Sequence, residues 1–275
     1  MSEQSPRVRS FFTRMQDGAT IAAKEQGTGP AILLISGLGG TARFWDPCLP
    51  VLAAHHRIIT LDQRGIAGSS GGAAPCTIDQ LAQDCLAVLD ACDVDSAVIV
   101  GHSTGGCIAQ TIALEATERV RALVLSGTWA SPNRYMHELF SLRRALLADN
   151  PLEYARSSVF LSYEPAWLNA NWSTYASALA SAPVSADARG VIEERIKALL
   201  QFDRSKDLER LHLPCLILGA QDDLMIPGFL QQTLSTLIPG SSMHIFNHGG
   251  HFFPLTRTSA FLQIMINWLS ELDEV

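Results

Sequence analysis

The sequence predicts an α/β fold: a mostly parallel, eight-stranded sheet with helices on both faces and one helical cap insertion. Three observations carry that expectation. Short apolar, β-branched runs alternate with amphipathic helical segments along the chain, the rhythm of repeated strand–helix–strand units. From about 131 to 207 the rhythm breaks, and no strand pattern appears. Finally, 47% of the 275 residues are hydrophobic and only 17% are charged, against about 25% charged in an average soluble protein. A sheet buried on both faces needs that apolar excess.

The elements follow in order. Residues 10–15 and 21–24 flank Asp17-Gly18 and read as an opening hairpin. Buried strands are expected at 31–35, 57–61, 97–100 and 123–126, and two later ones at 215–218 and 243–246. The clearest helix lies between the strands near 60 and 100. Thr77 and Gln80 form a capping box. Behind them Ile78, Leu81, Ala82, Cys85, Leu86, Leu89 and Cys92 repeat at the 3.6-residue period. The inserted stretch is crowded with aromatics: Tyr135, Phe140, Tyr154, Phe160, Tyr163, Trp167, Trp172, Tyr175 and Phe202. A loose Ala/Ser/Pro segment at 180–190 interrupts two helical pieces within it. The expected division is a core of 1–130 and 208–275, with a helical cap of 131–207.

Composition excludes several roles. Lys and Arg number 20 against 27 Asp and Glu, a net charge of −7. No basic cluster exceeds the pair Arg143-Arg144, whereas nucleic-acid backbones demand many clustered cations. Disorder requires less hydrophobic residue content. The longest apolar runs are far too short to span a bilayer. Met-Ser-Glu-Gln-Ser-Pro-Arg at the N-terminus lacks the apolar core of a signal peptide. The six cysteines form no C-x-x-C pair, and Cys85 and Cys92 sit on a buried helical stripe as small hydrophobes. The expectation is a cytoplasmic protein, monomer or homodimer, acting on a small molecule without a cofactor.

Gly101-His102-Ser103-Thr104-Gly105 carries the chemistry. It follows an apolar strand and precedes a helix, the setting in which a G-x-S-x-G serine is held exposed on a strained turn. The free N–H groups at the start of that helix favour a developing anion. A nucleophilic serine needs a base, and the base an orienting carboxylate, in the chain order serine, acid, histidine. His251 lies on Asn247-His248-Gly249-Gly250-His251, a glycine-rich loop just past the last strand; His248 is its competitor. Gly249-Gly250 also breaks any helix that could carry His244, His248 and His251 as metal ligands. For the acid, Gln221-Asp222-Asp223 ends the strand after Pro214. Asp223 is favoured by its distances to Pro214 and Pro227, with Asp222 left as the alternative.

An oxyanion hole needs two backbone N–H groups. Thr104, directly after the serine, supplies one. The second is expected from Ser36-Gly37-Leu38-Gly39-Gly40 after the strand at 31–35, with Leu38 as donor and Gly37 letting the backbone approach. The cap aromatics and Trp129 are expected to wall the pocket. Arg134, Arg143, Arg144 and Arg156 read as solvated surface charges, with binding of a substrate carboxylate as the alternative for each.

Taken together, Ser36-Gly37-Leu38-Gly39-Gly40, Asp62-Gln63-Arg64-Gly65, Gly101-His102-Ser103-Thr104-Gly105, Asp223 and Gly250-His251 resemble the α/β-hydrolase family across nearly the whole chain. Within it, Leu34 to Gly40, Phe160-Leu161, Pro165-Ala166-Trp167 and Asp222-Asp223-Leu224 are similar to the aminoacrylate/carbamate hydrolases of the Rut pyrimidine-degradation pathway, and then to enol-lactonases. The resemblance implies an α/β-hydrolase fold and a Ser103–His251–Asp223 triad acting on an ester, lactone or amide-type bond. It gives Asp62-Gln63-Arg64-Gly65 an architectural role. Aminoacrylate or carbamate hydrolysis, C–C bond hydrolysis, acyl transfer and a non-catalytic small-molecule receptor remain the alternatives on this fold.

Overall fold

The structure, a computed structural model, describes residues 8–273. Asp17-Gly18 turns β1 (Arg9–Arg14) back on β2 (Thr20–Gln26) as an antiparallel hairpin, with Arg14 opposite Thr20. The remaining strands are β3 (Ala31–Ile35), β4 (Arg57–Leu61), β5 (Ala97–His102), β6 (Val120–Ser126), β7 (Cys215–Ala220) and β8 (Ser242–Phe246). They form one sheet in the order β1-β2-β4-β3-β5-β6-β7-β8. From β4 through β8 every pairing is parallel. The expected strands are thus present, with ends moved by a few residues. Two of the extensions, β5 to His102 and β7 to Ala220, carry the strands up to the chemistry.

Both faces of the sheet are apolar, because successive side chains of a strand point to opposite sides. Leu33 and Ile35 join one core cluster, Ile32 and Leu34 the other. Helices α2 (Ile78–Asp90) and α3 (Thr104–Glu115) pack on the first face. The short α1 (Leu49–Leu52) and the C-terminal α11 (Thr258–Asp273) pack on the second. Cys85 is buried on the α2 stripe as expected, and Cys92 is buried in the turn just past the end of the helix. The capping box is only half formed. Thr77 Oγ1 accepts from Gln80 N at 3.1 Å, but the Gln80 amide donates to Asp84 instead of turning back. The Thr77 N–H that the amide would have capped already donates to the Pro75 carbonyl at 3.0 Å.

Asp84 belongs to an ion network that explains the Asp62-Gln63-Arg64-Gly65 turn. Arg64, 3% exposed, grips both Asp84 oxygens at 2.7 Å and Asp17 of the hairpin turn at 2.7 Å. The guanidinium holds the Asp17 carboxyl down at about 2. One side chain therefore ties the hairpin, the loop after β4 and α2 together.

Between β6 and β7 the chain forms α4 (Arg134–Asp149), α5 (Pro151–Ser162), α6 (Pro165–Ala170), α7 (Ser173–Ala180) and α8 (Ala186–Gln201). Asn133, Asn150 and Ser185 cap α4, α5 and α8 with side-chain oxygens. The loose segment expected at 180–190 shrinks to 181–185, because Ser185 starts α8 by accepting from Ala188 N. After β7, α9 (Phe229–Leu237) precedes β8, and α10 (Phe253–Thr256) follows the glycine-rich loop. No helix among the described residues is long and apolar enough to cross a membrane.

Candidate active site

Ser103 sits between the end of β5 and the first residue of α3 with φ 56° and ψ −124°. A side-chain-bearing residue rarely occupies that region, and does so only where its surroundings enforce it. Close packing enforces it here. A Cβ on Gly105 would lie 2.3 Å from the Ile35 carbonyl, and one on Gly37 would lie 2.9 Å from Ser103 Cβ. The loop after β3 therefore lies directly against the serine.

The acid loop distinguishes the two aspartates. The Asp223 Oδ1 atom accepts from the Met225 and Ile226 amides, both at 2.8 Å. That leaves Oδ2 directed at His251, whose Nδ1 is 2.8 Å away. Asp223 and His251 are 2% and 3% exposed. Asp222 instead receives the Gly249 and Gly250 amides at 3.1 and 2.9 Å, so it holds the loop that carries the histidine. His248 is exposed and turned toward Glu164 and Arg257. His244 lies exposed on β8.

Ser103 and His251 line one cavity of about 810 Å³, within the range of small-molecule sites. Ser36, Gly37 and Leu38 line it on the core side; Phe140, Tyr154 and Tyr163 line it from the inserted helices. Thr104 is buried at the head of α3. The expected aromatic wall is narrower than the sequence suggested. Phe160 and Trp172 are more than half exposed, and Tyr175 stacks on Trp172 outside the cavity. Phe44 and Phe252, from the core, take their place.

Trp129 is a correction. It is absent from the cavity wall and wholly buried in the core cluster on the α3 side of the sheet. Beyond β6, Gln110 Nε2 of α3 donates to the Trp129 carbonyl at 3.0 Å and ties this segment to α3, whose apolar residues share a core cluster with the indole. Arg143 is another. It is 3% exposed and lines the cavity, whereas Arg134, Arg144 and Arg156 are exposed.

Three further residues shape the site. Gln63, 1% exposed, donates to the Ser36 carbonyl at 2.7 Å. Arg195 of α8 is wholly buried; its Nε donates to the Leu38 carbonyl at 2.9 Å, its Nη2 to Gln63 Oε1 and, at the long limit of 3.5 Å, to the Gly37 carbonyl. The architectural turn and an inserted helix thus jointly hold the loop beside the serine. His102 lies beneath His251, ring centroids 4.8 Å apart, stacked on Phe44 with Nδ1 3.0 Å from Ser126 Oγ. Burial, reinforced by His251, lowers the His102 pKa well below the ordinary histidine value.

Comparison with known proteins agrees with this fold. The family model for the alpha/beta hydrolase fold matches residues 30–157. The chain is 32% identical to a protein of Azorhizobium caulinodans named as a carbamate hydrolase, RutD, over 90% of this chain and 94% of that one. A hydrolase from Pseudomonas aeruginosa superposes with a TM-score of 0.86 at 26% identity, covering 94% of this chain and 98% of its own. The enol-lactonase of Burkholderia xenovorans shares the fold, with a TM-score of 0.83 at 21% identity over 92% and 97% of the two chains.

Proposed function

The chain belongs to the α/β-hydrolase family, and on that premise we propose that it is a serine hydrolase acting on a small ester, lactone or amide-type carbonyl. One observation carries the reading. A buried Asp223–His251 hydrogen bond of 2.8 Å opens onto the same cavity as a serine held at φ 56°.

In the proposed mechanism Ser103 Oγ attacks the carbonyl carbon while His251 Nε2 takes its proton. Asp223 accepts from Nδ1–H, which fixes the tautomer and stabilises the imidazolium that forms. The carbonyl oxygen becomes an oxyanion and receives the Leu38 and Thr104 N–H groups. A trans peptide sets its C=O and N–H on opposite edges. Drawing the Gly37 carbonyl toward Arg195 therefore aims the Leu38 N–H away from Arg195. Each such donor is worth about 3–4 kcal/mol of barrier. His251 then returns the proton to the leaving oxygen or nitrogen, giving an acyl-enzyme. Water, activated by the same base, releases the acid.

Helices α4–α8 act as a cap in this reading, their side chains selecting which acyl compound reaches the serine. The relatives' name extends the candidate bonds to carbamates.

Ser103→Ala is expected to abolish hydrolysis of p-nitrophenyl butyrate and labelling by a fluorophosphonate. Retention of either activity in the variant would overturn the mechanism.

A further inference from the structure

Position 143 puts a cation where no carboxylate among the described residues pairs with it. Arg143 is 3% exposed and lies on the buried stripe of α4 formed with Met136, Phe140 and Leu147. Its guanidinium stands 4.7 Å from the Tyr154 ring and 5.6 Å from the Phe140 ring. Nη2 donates to Tyr154 Oη at 3.1 Å. The Nε and Nη1 atoms are buried with no hydrogen-bond partner among the described residues. The other buried arginines differ: Arg64 grips two carboxylates, while Arg195 donates to three carbonyl oxygens, leaves one nitrogen unpartnered instead of two, and does not line the cavity.

Burying a charge without a counter-charge is costly, so an anion is the missing partner. The guanidinium's paired N–H groups match a carboxylate's two oxygens. Arg143 and Ser103 line the same cavity, while Arg43, the other cation there, is exposed. One buried positive charge among aromatic and aliphatic walls suits a singly charged carboxylate better than a phosphate dianion.

We infer that Arg143 receives a carboxylate carried by the substrate, so that the hydrolysed ester, lactone or amide also bears a free acid group. The inference rests on the serine-hydrolase reading for the reaction, but not for the binding.

Two experiments separate these. In the first, p-nitrophenyl monoesters of succinate, glutarate and adipate are compared with neutral esters of matched length. Butyrate esters of short hydroxy acids place the carboxylate on the alcohol side. For at least one carboxylate ester, wild-type kcat/KM is expected to exceed the neutral counterpart about tenfold. Arg143→Met lowers that value about 30- to 100-fold, mainly through KM, as expected for charged hydrogen bonds. Neutral esters change less than about threefold on the same basis. Arg143→Lys keeps the charge, loses the fork and falls between; it also serves if the Met variant does not fold.

In the second, glutarate binding is measured by calorimetry on Ser103→Ala, with and without Arg143→Met. Binding that vanishes with Arg143 supports the subsite even if no ester is turned over, in which case only the hydrolase reading fails. Equal losses on charged and neutral esters, or glutarate binding indifferent to Arg143, overturns the inference.

Discussion

Strands β3, β5 and β7 bury every residue they contain, whereas α7, which contributes Ala178 to the same cavity, buries none. The floor of the site is set by backbone: a serine in a strained turn, glycines without clearance for a methyl group, and loops pinned by paired amides. The roof is attached at scattered points. Tyr135 donates to the Leu224 carbonyl, Arg257 pairs with Glu164 at 2.6 Å, and Phe252 N donates to the Ser162 carbonyl at 2.8 Å. A floor built this way tolerates almost no substitution, and a roof built this way tolerates many. Fixed chemistry can therefore coexist with an adjustable choice of substrate.

Variants graded from floor to roof test that contrast. Asp223→Asn should cost about 10⁴ in kcat, because the amide cannot hold the required imidazole tautomer. Asp222→Asn, which only loosens the two amides of the histidine loop, should cost about tenfold by the usual size of a positioning loss. Steady-state ester kinetics decide; equal losses would mean that both aspartates serve the histidine directly. Gly105→Ala puts a methyl group 2.3 Å from the Ile35 carbonyl. It should destabilise by about 3–5 kcal/mol and lower Tm by roughly 10 °C. A Tm unchanged within 2 °C of wild type, on the scale of ordinary surface substitutions, would show that the floor can give.

His102 adds a pH dependence. Its neutral form is favoured in the fold, so below the ordinary histidine value of about 6.5 the unfolded chain binds a proton that the folded chain refuses. Stability then falls as pH falls, by up to about 1.4 kcal/mol per unit from this residue. Above that range its contribution is constant. His102→Gln should flatten the slope between pH 7 and 5 in urea titrations; an unchanged slope refutes the assignment. Trp172→Ala on the roof removes a ring 53% exposed and stacked on Tyr175. Its cost should stay below about 1.5 kcal/mol, with short-ester kcat/KM within about twofold, as for surface sites remote from the chemistry. A larger fall would make the roof part of the machinery.

The same contrast explains what the sequence reveals. Strand, tight turn and helix succeed one another locally, so Gly101 to Gly105 announces its geometry in five letters. Asp223 is legible because the chain must turn after β7, and His251 because glycines mark the loop that delivers it. The support of the loop beside Ser103 is not local: Arg195 reaches Gln63 and Leu38 across 132 and 157 positions, and no periodicity records such a meeting. Trp129 misleads because proximity to a strand end does not say which way the chain turns next. Arg143 left a trace in the spacing Met136, Phe140, Arg143, Leu147, a cation on an otherwise apolar stripe. The adjacent Arg144 masked it by making the pair resemble a charged surface.

Arg195 has a consequence for how this molecule could be rebuilt. The loop beside Ser103 takes part of its shape from a side chain that the inserted helices provide. Replacing 131–207 with the corresponding helices of another hydrolase would leave the Leu38 carbonyl without its donor unless the graft supplied a guanidinium at the same place. If the inserted helices select the substrate as proposed, changing that choice is coupled to how well the enzyme catalyses. A chimera that gained a new substrate while losing turnover on every substrate would bear the mark of that coupling.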